Sequence, residues 1–260
     1  MPTVRELSAL YETFMVSPRR GPGVCCTCLT FTEPAGAGRP YPQCYPCAST
    51  QPWLDDVVPI SYSVAGEQLH HSLVSYKRLT GRIAERIRTE LAAVLWRYLE
   101  AHEPCIAKHL GIDGFPRVTT VPSGRREPDG VHPLAQIVGE LCGHTKHRYE
   151  PMLERSSESC VGEHDFDAHR FEPTQAIPHQ PVLLIDDTWT TGASAQSAAA
   201  ALKRAGASRV AVVVIGRHLK RDWRENGTRL DQLRHRFDWD TCLHCVQPAS
   251  VASAPGWRHQ

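Results

Sequence analysis

The sequence predicts an α/β protein: a parallel sheet flanked by helices, with a small cysteine-rich module ahead of it. Three observations carry this expectation. "PVLLID" (181–186), "SAQSAAAALKRAG" (194–206) and "RVAVVVIG" (209–216) read as strand, helix and strand, and both strands are apolar, as strands covered on both faces must be. Further upstream, "VVPISYSV" (57–64) alternates like a strand, and "GRIAERIRTELAAVLWRYL" (81–99) repeats apolar residues at Ile83, Ile87, Leu91, Val94 and Leu95, a helical period. Two CxxC pairs stand in the Pro- and Gly-rich residues 17–53, which have no helical or strand period of their own.

Taken in order, the chain divides into residues 1–56, 57–216 and 217–260. "MPTVRELSALYETF" reads as an amphipathic turn of helix without the charged and then apolar pattern of a signal peptide, so a cytoplasmic chain is expected. No apolar run approaches the roughly 20 residues a membrane span needs, so no membrane partner is expected. Cys25 and Cys28 are separated from Cys44 and Cys47 by 15 residues, a zinc-ribbon spacing. Four thiolates around Zn²⁺ would order a segment too poor in apolar residues to fold alone, and Cys26 would be spare. "RVTTVPS" (117–123) predicts a short strand and "HPLAQIVGELCG" (132–143) a helix stopped by Gly143; residues 144–180 predict a long loop.

"VLLIDDTWTTGAS" (182–194) is the stretch with chemistry in it. In a parallel sheet, ligands bind beyond the carboxyl ends of strands, and Asp186 and Asp187 stand at such an end, pointing to opposite sides. The small residues that follow open a helix. Gly192 lets the backbone approach an anion, and the hydroxyls of Thr190, Thr191 and Ser194, with backbone N–H groups around Ala193, could cradle a phosphate. A side chain at position 192 is expected to block that phosphate without unfolding the chain, because the loop should lie at the surface. Acids beside such a cradle suit a ligand carrying both a phosphate and vicinal hydroxyls. Trp189 has no assigned role. Earlier, "VPSGRRE" (121–127) offers Ser123, Gly124, Arg125 and Arg126 either as a second phosphate loop, with arginines pairing bidentately, or as a solvated turn.

The 13 residues 182–194 resemble the 5-phosphoribosyl 1-diphosphate (PRPP) signature of type I phosphoribosyltransferases. The resemblance implies that Asp186 and Asp187 hold the ribose hydroxyls, that Thr190 to Ser194 bind the 5-phosphate, and that residues 123–126 receive the pyrophosphate with Mg²⁺. The 6-oxopurine transferases of that group carry an aspartate as general base where this chain has Thr190, which cannot take a proton near neutral pH. The order of four-cysteine module, "YKRLTG" (76–81) and PRPP-like motif resembles the ComF family of competence-associated, phosphoribosyltransferase-like proteins over about residues 22–217. That family implies a phosphoribosyltransferase-like fold, PRPP binding with displacement of pyrophosphate from C1 if the chain is catalytic, and otherwise DNA or protein partners in DNA uptake.

Two features lie outside that pattern. Arg217, Lys220, Arg221 and Arg224 are spaced as if on one helix face, which reads either as a nucleic-acid-binding stripe or as a solvated face. Cys242 and Cys245 read either as half of a second metal site, with His235 as a candidate partner, or as a packed pair without metal. The acceptor substrate and the oligomeric state have no counterpart in the pattern.

Overall fold

A computed structural model describes residues 2–33, 38–123, 132–157, 162 and 164–245. The chain opens with α1 (Val4–Ala9) and α2 (Tyr45–Ser49), then β1 (Asp56–Val64), α3 (Gln68–Arg78) and the long α4 (Gly81–Leu110). Next come β2 (Arg117–Thr120), α5 (Pro133–Gln136), a π turn (Ile137–Leu141), and the short β3 (Leu153–Arg155) and β4 (Phe171–Pro173). The remainder is β5 (Val182–Trp189), α6 (Ala193–Arg204), β6 (Val210–Leu219) and α7 (Asn226–Leu233).

Four strands form one sheet in the order β1-β6-β5-β2, and every pairing in it is parallel. Alternation along the strands divides the apolar residues between two layers, because successive side chains leave opposite faces of a strand. Val58, Ile60, Leu183, Ile185, Ala211 and Val213 pack against Leu91, Val94, Leu95 and Leu99 of α4. Val57, Val182, Leu184, Val210 and Val212 pack against Ala195, Ala198, Ala199 and Leu202 of α6. The α6 face is rich in alanine, so that helix can sit close to the sheet. All nine residues of β1 are buried although it ends the strand order. The N-terminal segment covers it: the Tyr62 amide donates to the Val16 carbonyl at 2.9 Å, and the Val16 amide to Ser61 Oγ at 2.8 Å. Such a cover keeps an edge from pairing with another chain.

The connections leave the sheet on different sides. After β2 the chain enters the α4 layer, where Leu134, Ile137 and Val138 are buried. After β5 it enters α6 on the opposite face. Neighbouring parallel strands whose connections diverge open a crevice at their carboxyl ends, which is where open α/β sheets bind ligands.

Several expectations are corrected in detail. The helix predicted over 81–99 runs on to Leu110 and ends at Gly111, whose φ of 67° is the left-handed cap geometry. Ile83, expected on its core face, is 65% exposed in the first turn of α4. The helix predicted over 132–143 is a single α turn followed by the π turn, capped by Cys142 rather than stopped at Gly143. Residues 144–180 contain the antiparallel pair β3–β4. Among the described residues, no helix is long and apolar enough to cross a membrane.

Candidate functional site

A cleft of about 370 Å³ occupies the crevice between the ends of β2 and β5. The sheet contributes Asp186 and Asp187, the turn after it Thr190 to Ser194, and the segment following β2 Ser123, so the structure brings the acids and the small-residue turn together in one cavity. Gly124, Arg125 and Arg126 lie outside the described residues.

Asp187 turns toward α3. Its Oδ2 meets Lys77 Nζ at 2.7 Å, and its side chain is only 6% exposed. The Tyr76 phenol lies beside it; burial, and then the charge of Asp187, raise that phenol well above its ordinary range. Asp186 is half-buried, and its Oδ1 accepts from the Asp187 amide at 2.9 Å. Enclosure by protein, reinforced by the negative charge of Asp187, pushes Asp186 up to about 8, and Lys77 offsets part of that. The neighbouring carboxylate thus disfavours the charged form of Asp186 in this poorly solvated corner.

The turn after β5 is shaped by Gly192 and Trp189. Gly192 has φ 87° and caps α6, and a Cβ placed there would lie 2.1 Å from the Trp189 ring. Trp189 is 2% exposed and belongs to the core under α6. The expectation that a side chain at 192 acts only on a ligand is therefore corrected: the indole beneath the turn makes position 192 structural as well. Residues 164–170 lie across the start of α6. Arg170, itself buried, donates from Nη1 to Ser194 Oγ at 3.2 Å, Thr191 Oγ1 donates to the His164 carbonyl at 3.2 Å, and the Asp167 amide donates to Ser197 Oγ at 3.1 Å.

Among the described residues, the cationic side chains of Lys77, Arg78, Arg155 and Arg170 also line the cleft. Of these, Lys77 and Arg78 stand in the "YKRLTG" stretch and were visible as a motif. Arg155 and Arg170 lie in the aperiodic region 144–180, where no local signal separates a site arginine from a surface one.

The four N-terminal cysteines converge. The sulfurs of Cys25, Cys28, Cys44 and Cys47 all lie within 4.8 Å of one another, a cluster that could hold zinc. Hydrogen bonding among the crowded thiols, with Cys28 the strongest partner, draws Cys25 far below the ordinary thiol range, while the same crowding pushes Cys44 and Cys47 up. This module rests on the α6 face of the sheet, with Cys25 and Cys28 buried beside Leu54, Val57 and Trp189. Arg217 ties it to the cleft. The buried guanidinium donates to the Cys28 carbonyl at 3.1 Å and to the Trp189 carbonyl at 2.9 Å.

That placement corrects the reading of the basic tail. Arg217 lies in β6, Lys220 to Arg224 form no helix, and α7 starts at Asn226. Arg221 pairs with Asp231 at 2.6 Å, Arg224 pairs with Glu33, Arg234 with Glu67 at 2.5 Å and Arg236 with Glu12 at 2.6 Å. Cys242 and Cys245 meet His102 and Cys105 of α4; His235 is not in that cluster.

Compared with protein-family models and with curated protein sequences, the chain matches none.

Proposed function

We propose that this chain is a phosphoribosyltransferase-like protein whose cleft binds PRPP, or another ribose 5-phosphate ligand, together with Mg²⁺. One observation carries the reading: two carboxylates where β5 runs on past its pairing with β2, a glycine-initiated helix start and several cationic side chains face the same 370 Å³ cavity. The carboxylates suit ribose hydroxyls, and the N-terminus of α6 with the Ser194 and Thr190 hydroxyls suits the 5-phosphate. Lys77, Arg78 and Arg155 suit the diphosphate. The donor set also fits a hard divalent cation. Asp186 and Asp187 supply two carboxylates, and Mg²⁺ commonly takes one or two carboxylates and completes its shell with phosphate oxygens and water. When bound, the cation would neutralise diphosphate charge.

A second reading keeps the binding without turnover, as the ComF resemblance implies for a protein acting with DNA or protein partners. Thr190 favours it, because a threonine in the cleft cannot serve as the base that the 6-oxopurine transferases use there. Tail arginines 221, 224, 234 and 236 are occupied by acids, so the DNA arm has little support from that stretch.

Titration calorimetry with PRPP and with ribose 5-phosphate, each with and without Mg²⁺, tests the binding. Heat is expected with PRPP and Mg²⁺, with a weaker Mg²⁺ requirement for ribose 5-phosphate. Asp186→Asn combined with Asp187→Asn should weaken binding by about 2–4 kcal/mol if two charge-assisted hydrogen bonds are lost. No heat at millimolar PRPP with Mg²⁺ would end the phosphoribosyl reading. Pyrophosphate release across a panel of acceptors separates the two readings from each other.

A further inference from the structure

We propose that His102, Cys105, Cys242 and Cys245 form a second zinc site, structural in role, that fastens the C-terminal segment to α4. Their four ligand atoms lie within 4.8 Å of one another. Cys245 Sγ is 3.3 Å from Cys105 Sγ, 3.3 Å from Cys242 Sγ and 3.5 Å from His102 Nδ1. A zinc ion with metal–sulfur bonds of about 2.3 Å and a metal–nitrogen bond of about 2.0 Å requires tetrahedral edges of about 3.5–3.8 Å. The three separations from Cys245 Sγ lie within about half an ångström of those edges, and the other three are no longer than 4.8 Å.

Three further features point to a metal rather than to chance proximity. His102 and Cys105 are three residues apart on α4, so one helix face presents both toward the tail. The His102 ring is 2% exposed, and its Nε2–H donates to the Trp239 carbonyl at 2.9 Å. That bond leaves Nδ1, the nitrogen facing the sulfurs, with its lone pair available, which is the outer contact metal-bound histidines use to set their tautomer. The Cys242-x-x-Cys245 segment is a tight turn. The Cys245 amide donates to the Cys242 carbonyl at 3.2 Å, and the His244 amide points at Cys242 Sγ at 3.4 Å. An amide donor aimed at a sulfur matches a thiolate acceptor, as in a CxxC metal knuckle.

The donor set selects the ion. Three thiolates and one imidazole are soft, and four protein ligands leave no open position, which is the composition of structural zinc. A disulfide accounts for the arrangement less well. It would join two sulfurs and strand the third beside a histidine already oriented toward them.

The mechanical consequence follows from what flanks the ligands. Phe237 and Trp239 enter the core on the α4 side of the sheet. The Trp239 indole donates to Glu12 Oε1 at 2.8 Å, and the Phe237 amide donates to the Glu12 carbonyl at 3.0 Å. His244, between the two cysteines, faces the other way. Its Nε2 lies 2.7 Å from Asp56 Oδ2, and its ring stacks on His109 at 4.1 Å. Metal at this site would therefore fasten the tail directly to α4, beside the contacts the tail already makes with Glu12 and with Asp56 at the start of β1.

Elemental analysis of the full chain, purified reduced from zinc-supplied cells, tests the proposal. Two zinc ions per chain are expected. Cys245→Ser should retain one, and so should Cys44→Ser, because the clusters are independent. His102→Cys should retain two, since it only exchanges imidazole for thiolate. Should Cys245→Ser fold poorly, the cobalt-substituted proteins report directly. The visible d–d bands of His102→Cys should shift from those of wild type, because one ligand changes type. One zinc per chain in wild type, lost entirely in Cys44→Ser, would overturn the proposal. So would two zinc ions retained in Cys245→Ser, identical cobalt spectra for wild type and His102→Cys, or a Cys242–Cys245 disulfide found by alkylation and mass spectrometry.

Discussion

Gly192 and Trp189 should behave as one structural unit, and a double-mutant cycle measures it. Gly192→Ala carries two costs. The backbone stands at φ 87°, where an L-residue is disfavoured by roughly 1–2 kcal/mol. The new methyl would also lie 2.1 Å from a ring carbon of an indole that is 2% exposed and has no room to retreat; overpacking of that kind costs about 1–3 kcal/mol. Wild type should thus lose about 2–5 kcal/mol on Gly192→Ala. In a Trp189→Leu background the ring atoms that collide are gone, so the same substitution should cost only the backbone share of about 1–2 kcal/mol. Urea unfolding of the four proteins, without ligand, gives the coupling energy directly. A coupling near zero would refute the reasoning, because it would mean that the indole does not support the turn. The cycle also bears on any ligand assay: loss of binding in a position-192 variant is interpretable only after its stability is known.

Three other outcomes are expected. The Glu103 carboxylate receives Arg148 at 2.7 and 2.8 Å and His144 at 2.9 Å; burial alone would raise its pKa, but these contacts outweigh burial and leave it below the usual range. A depressed carboxyl stabilises the fold above its unfolded pKa and loses that contribution as pH falls through the folded value. The gap between wild type and Glu103→Gln in chemical unfolding should therefore be about 2–4 kcal/mol at neutral pH and shrink in acid; a pH-independent gap would count against the ion pair. Asp186 has the opposite sign: its folded pKa is raised toward about 8, so the ligand-free fold loses stability as pH rises from the ordinary aspartate range to that value. Asp186→Asn should remove this dependence, and in wild type Mg²⁺-dependent ligand binding should strengthen over the same interval; flat profiles for both proteins would argue against a proton on Asp186. Arg217→Met removes donors from the Cys28, Trp189 and His218 carbonyls and should cost about 2–4 kcal/mol while speeding zinc release to a chelator; unchanged stability would show that the guanidinium does not link the cysteine module to the sheet.

The sequence alone determined what is written in short periods. The strand–helix–strand of β5, α6 and β6, the long helix α4, the acid pair and the CxxC spacing are all local, although β5 runs on past the acids to Trp189 instead of ending at them. Each depends on residues a few positions apart, where strand and helix geometry dictate who shares a face. Tertiary structure alone decided the rest. Lys77 reaches Asp187, Arg170 reaches Ser194, and Trp189 fills the space under Gly192, because α3, the 164–170 segment and the sheet happen to meet there. Arg217 read as a surface cation and is buried, since β6 continues past Gly216 beneath the cysteine module. Strands β3 and β4, with three residues each, are too short to show a period. Cys242 and Cys245 announced half a cluster, and its other half, His102 and Cys105, sits inside a helix whose sequence reads as ordinary core. Contacts of that span depend on how layers pack, and packing leaves no periodic trace in the chain.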